Sequence, residues 1–97
     1  MKNNVTRIDS TLLKDVLRAC ALEYKGEGAP IVKAYAEGEA AQRMLEIARK
    51  HGVQIQEGQE ESLLLALKSV KLNTQIPTEI YLAVARIYAY LIGKKKE

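Results

Sequence analysis

Two apolar-biased runs, Ala21-Leu22-Glu23-Tyr24 and Ile31-Val32-Lys33-Ala34, flank the junction Lys25-Gly26-Glu27-Gly28-Ala29-Pro30. No other stretch of the chain constrains the fold as tightly. Glycine reaches positive φ cheaply, and the residue before a proline is pushed toward an extended conformation, so the chain turns here and leaves the turn extended. Ile31 to Tyr35 therefore reads as a strand. Ile31, Lys33 and Tyr35 are expected on one face, and Val32, Ala34 and Ala36 on the other. Neither face is wholly polar, which predicts a central strand.

Upstream of the junction the pattern supports two readings. Residues 1–9 are polar and aperiodic and read as a flexible lead-in. Asp9 or Ser10 can cap a helix on which Leu12, Leu13, Val16 and Leu17 follow at helical spacing, and Cys20 and Tyr24 extend the same stripe. The competing reading ends that helix near Leu17 and runs Arg18 to Tyr24 as a strand. Periodicity alone favours the single helix.

Downstream the signals are cleaner. Glu37-Gly38-Glu39 opens a helix with acids at its positive end, and Ala41, Met44, Leu45 and Ala48 form its apolar stripe. His51-Gly52 stops it, with glycine suited to the left-handed position. Val53-Gln54-Ile55-Gln56 alternates as a short strand. Strand, helix, strand with tight joints predicts a parallel crossover unit. Gln59 to Val70 reads as a further helix, Lys71 to Gln75 as a polar break, and the stripe Ile80, Val84, Ile87, Tyr88 and Leu91 as a last helix entered through Pro77.

A chain of 97 residues makes one domain and can bury roughly 60–70% of the surface its unfolded form exposes. At 47% apolar and 28% charged it reads as globular. Its one cysteine, Cys20, excludes an internal disulfide, which suits a reducing compartment. The amino terminus predicts no signal peptide, and the apolar run Ile80 to Ile92 is broken by Arg86 and too short to span a bilayer. Lys94, Lys95 and Lys96 form a basic tail, read as a solvated helix end or, alternatively, as a contact for nucleic acid or acidic lipid.

Catalytic constellations are missing. His51 and Cys20 are each the only residue of their kind, His51 at a helix end and Cys20 in an apolar stretch. No cluster has metal-ligand spacing, Gly26-Glu27-Gly28 lacks the rest of a phosphate loop, and no cofactor is expected. The lysines are interleaved with glutamates rather than grouped with aromatics, which argues against a nucleic-acid platform. What remains is apolar surface. Leu63, Leu64, Leu65 and Leu67 spread over more than half the circumference of their helix. They read either as a helix buried on two sides or as a groove for a partner peptide.

The order of these pieces resembles the cytoplasmic domain of the FlhB/YscU family, the substrate-specificity switches of flagellar and type III secretion export. The residues carrying the resemblance are Ala21 to Tyr24, Ala29 to Val32, Gly38, Ile47 to Val53, Leu64, Leu67, Ile76-Pro77, Ile80 to Ala85 and Ala89 to Leu91. The resemblance implies an α/β domain: a small mixed sheet of three to four short strands surrounded by about four helices, over residues 10–93, with 94–97 as a tail. It implies a strand at about 18–24 pairing with 30–36. The family carries a self-cleaving Asn-Pro-Thr-His motif just before that strand. This chain has Lys14-Asp15-Val16-Leu17 there, and self-cleavage is expected to be absent. The family's membrane helices are absent as well, so the chain is expected to be a stand-alone relative beginning at Met1. By the same resemblance Ala29, Pro30, Leu64 and Leu67 match an apolar patch for early export substrates.

The expected function is a non-enzymatic protein-binding module of the export apparatus, acting in substrate recognition or specificity switching without cleavage. Its expected partners are export components or early export substrates. It is expected in the cytoplasm, either unattached or peripheral at the export gate. The alternative is a small basic nucleic-acid-binding domain.

Overall fold

The computed structural model describes residues 5–25, 29–77 and 79–80. Its elements run β1 (Val5–Leu13), β2 (Val16–Tyr24), β3 (Ile31–Glu37), α1 (Glu39–Lys50), β4 (Gln54–Gln56) and α2 (Glu61–Lys68). The strands form one mixed sheet in the order β3-β2-β1-β4. β1 and β3 each pair antiparallel with β2, and β4 lies parallel to β1. β3 and β4 therefore point the same way, and the chain crosses from one to the other through α1, as the strand-helix-strand pattern predicts.

The first expected helix is instead a β-hairpin. Residues 5–9, expected as lead-in, are already in β1. The spacing of Leu12, Leu13, Val16 and Leu17 that mimics a helical stripe also fits two strands joined by two residues. Leu13 pairs with Val16, leaving Lys14 and Asp15 as the turn. Both have positive φ, 54° and 67°, as the type I′ turn that matches strand twist requires. The choice left open at 18–24 thus resolves as strand, because nine backbone pairs to β1 outweigh a local stripe. Two helices are described rather than about four. One expected helix is this hairpin, and the last, through Ile92, lies almost wholly outside the described residues.

The sheet carries one helix on each face. On β2, Ala19 and Ala21 point toward α1, while Cys20 and Leu22 point toward α2. The α1 side gathers Ile8, Ala19, Ala41, Leu45 and Ala48, and the α2 side gathers Cys20, Leu22, Val32, Leu63, Leu64, Leu67 and Ile76. Burying a leucine such as Leu22 or Leu64 completely contributes about 1.5–3 kcal/mol.

β3 departs from simple alternation. Leu22 pairs with Val32 and Ala21 with Ala34, so Lys33 is an extra residue and the strand bulges. Val32 and Tyr35 consequently both pack on the α2-side cluster, whereas strict alternation put them on opposite faces. β3 is an outer strand of the sheet and not the central one that its two-sided composition predicts; its second side is covered instead by the segment after α2. Asn73 N donates to Val32 O at 2.7 Å, Val32 N to Thr74 O at 3.1 Å, and Ile76 N to Pro30 O at 2.9 Å.

β1 holds a buried ion pair. Arg7 and Asp9 sit on its α2-side face with side chains 3% and 0% exposed. Arg7 Nε lies 2.9 Å from Asp9 Oδ1, an ion contact rather than an aligned hydrogen bond, and the Arg7 terminal nitrogen donates to Oδ2 at 3.2 Å. The guanidinium also stacks over the Tyr24 ring at 5.3 Å.

Candidate partner-binding site

Proline has no N–H to lose, so the sheet can receive the chain at Pro30 with only its carbonyl to satisfy, which Ile76 N does. The Ala29 carbonyl accepts from Gln75 Nε2 at 3.2 Å. The Ala29-Pro30 entry to β3 is thereby held between the 73–76 segment and the α2-side core. α2 presents Leu63, Leu64 and Leu67 inward at i, i+1 and i+4, and Ala29 packs against the cluster they form.

The structure brings all four expected site residues to one place, with unequal exposure. Pro30, Leu64 and Leu67 are fully buried and Ala29 is half-buried. Ala29 is the side chain of the four that reaches the surface, and it packs on the cluster that includes both leucines. The apolar excess of α2 falls on Leu65, which is 42% exposed.

Beside α2 lies a charged cluster that the sequence did not announce. Arg18 reaches both Glu37 and Glu61, the latter at 3.3 Å, and Lys68 approaches Glu37 at 3.3 Å. The Tyr35 hydroxyl donates to Glu37 Oε2 at 2.7 Å. That bond, with Lys68 and Arg18 adding to it, holds the Glu37 carboxyl below its ordinary value. Burial pushes the Tyr35 hydroxyl up, and its bond to Glu37 pushes it further. These contacts tie α2 to β2 and β3, the strands on either side of the connection that carries Ala29.

Cys20 and His51 are not brought together. Cys20 is buried on the α2 side of the sheet, whereas His51 is exposed at the end of α1 on the other side. Burial, with Asp9 opposite it on β1, pushes the Cys20 thiol up to about 12, so at neutral pH it is a protonated packing group and not a nucleophile. Among the described residues no group of three or more ligating side chains could hold a metal ion. The Lys94 to Lys96 tail lies outside them.

Comparison with known proteins places this geometry. A model of the family described as "FlhB HrpN YscU SpaS Family" matches residues 16–91. The chain belongs to this family. The match begins at Val16, the first residue of β2, so β1 with its buried ion pair precedes it.

Over 81 residues the chain is 36% identical to the flagellar biosynthetic protein FlhB of Aquifex aeolicus (strain VF5), covering 81% of this chain and 23% of that protein. It thus spans under a quarter of that relative's length. It is 32% identical over 78 residues to the uncharacterized protein YlqH of Bacillus subtilis (strain 168), covering 78% of this chain and 82% of YlqH. The crystal structure of the cytoplasmic domain of FlhB from Shewanella putrefaciens superposes with a TM-score of 0.67 at 27% identity, over 91% of this chain and 71% of that one. The expected likeness to an FlhB cytoplasmic domain therefore holds in sequence and in fold. No helix among the described residues is long and apolar enough to cross a membrane.

Proposed function

We propose that this chain is a protein-binding module of the flagellar or type III export apparatus, without enzymatic activity, acting in the cytoplasm on export substrates or on components of the export gate. The observation that carries the reading is the FlhB cytoplasmic fold over nearly the whole chain, with Ala29 packed against the cluster that contains Leu64 and Leu67. The partner would meet Ala29 and the surface around it, since the leucines are covered. Family membership lends the nucleic-acid alternative no support.

The domain is further proposed not to cut itself. A backbone cut by asparagine cyclisation needs a carboxamide at the turn, and the turn here is Lys14-Asp15. The intact 10.8 kDa mass should persist on storage. A break between residues 14 and 17 would refute this.

The binding test follows from the burial. Leu67→Asp would place a charge in the core and unfold the domain, so Ala29→Glu is the informative variant. It is expected to fold, by circular dichroism, and to lose capture of early export substrates. Retained capture by folded Ala29→Glu would remove this surface from the reading. Deleting the gene and scoring motility and filament structure tests the export role itself.

A further inference from the structure

The α1 side of the sheet carries an open groove of about 700 Å³. Its helical wall is the stripe Ala40, Met44, Ile47 and Ala48, and its floor is built from Ile8 of β1, Ala36 of β3 and Val53. Two observations define what the groove can hold.

The first is shape. Four strands span about 14 Å between outer axes, and a helix occupies about 10 Å of width, so α1 alone leaves part of this face open. Small side chains, Ala36 and Ala40, leave the opening unfilled and broad toward solvent. The lining positions on α1 and its C-cap run from Ala40 to His51, about three turns or roughly 16 Å, which suits a second helix lying beside α1 better than a compact small molecule. Ile47, on this wall, is 57% exposed. Helices dock this way by placing apolar anchors at i, i+3, i+4 and i+7 into such a groove.

The second is charge. Among the described residues, those lining the groove include one cation, Arg43, with the imidazole of His51, and no acid. The Arg43 side chain is 68% exposed and reaches Glu39 only at 4.0 Å, so its guanidinium can turn to an incoming carboxylate.

We propose that this groove docks an amphipathic helix of a protein partner, apolar along one face and flanked by carboxylates. The surface is on the opposite side of the sheet from Ala29 and does not depend on the reading of that site.

The test uses the full chain and two synthetic helical peptides sharing one leucine stripe, one flanked by glutamates and the other by lysines. Binding is measured by calorimetry and by amide shifts in NMR titration. The glutamate peptide is expected to bind at least about tenfold more tightly than the lysine peptide, with shifts centred on Met44 and Ile47. That difference corresponds to 1.4 kcal/mol or more. Ile47→Asp should weaken binding at least about tenfold. Arg43→Glu combined with His51→Glu should reverse the preference between peptides, and these exposed positions leave the fold intact, as a thermal melt verifies. Ala29→Glu should change nothing. Absence of binding, equal binding of both peptides, indifference to Ile47→Asp, or loss through Ala29→Glu would each overturn the proposal.

Discussion

The Arg7–Asp9 pair offers a sharp energetic test, because its two halves oppose each other. At an effective dielectric of about 20, unit charges some 4 Å apart attract by about 4 kcal/mol. Side chains only 3% and 0% exposed have also given up their water, at several kcal/mol per ion. Burial raises the Asp9 carboxyl above its ordinary value even with Arg7 beside it, so desolvation is the larger effect there. The pair as a whole should therefore add little net stability, while each partner alone is costly. Arg7→Met and Asp9→Leu are each expected to destabilise by about 3–5 kcal/mol, whereas the double variant should fall close to the wild type or above it. A coupling of several kcal/mol follows. The chain has no tryptophan, so urea unfolding should be followed by far-UV circular dichroism. Single variants costing under about 1 kcal/mol, or a double variant costing the sum of the singles, would refute the reasoning.

Three further outcomes are expected. Replacing the turn Lys14-Asp15 with Asn-Gly relieves two side chains held at positive φ and should stabilise by about 1 kcal/mol, raising Tm by about 4–8 °C; an unchanged or lower Tm would argue against the type I′ assignment. Cys20 should resist thiol reagents at pH 7–8 in the folded protein and react once urea unfolds it; rapid labelling of the native state would contradict its burial. Glu37 has a lowered folded-state value, so its contribution is present above the ordinary 4.5 and lost as pH falls through the lower one; stability of Glu37→Gln should decline less over that acid range, and parallel pH profiles would show that the Tyr35 bond does not couple to folding.

The sequence made α1 legible because its signals agree: an acidic start, one apolar stripe, and Gly52 at φ 70° just past the end. The hairpin was not legible, because Leu12, Leu13, Val16 and Leu17 satisfy both periods and only pairing with distant residues decides. The family resemblance, not the local pattern, points to the strand at 18–24. The bulge at Lys33 leaves no trace in composition, yet it reassigns Val32 and Tyr35 to one face. Arg7 and Asp9 read as a polar lead-in because a buried charge looks like an exposed one until its surroundings are known. Ala29, Pro30, Leu64 and Leu67 were found by resemblance, and their proximity is observed. For Leu64 and Leu67, burial is one of the two readings that the leucine helix leaves open. The groove on the α1 side had one signal: Ile47 is a large apolar residue outside the stripe that the core consumes.

The place of β1 has a consequence for how the domain assembles. Its pairing with β2 crosses a two-residue turn and can form within about 1–10 μs. Its pairing with β4 joins Ile8 to Ile55, across most of the intervening fold, and rests on three residues of β4. Contacts so unequal in sequence separation form in order, local before distant. During synthesis β1 therefore pairs with β2 well before its other edge is covered. Until β4 leaves the ribosome, the outer rim of β1 stays open to water or to any other extended chain nearby. The interval before β4 docks is when a nascent copy of this domain is most exposed to mispairing.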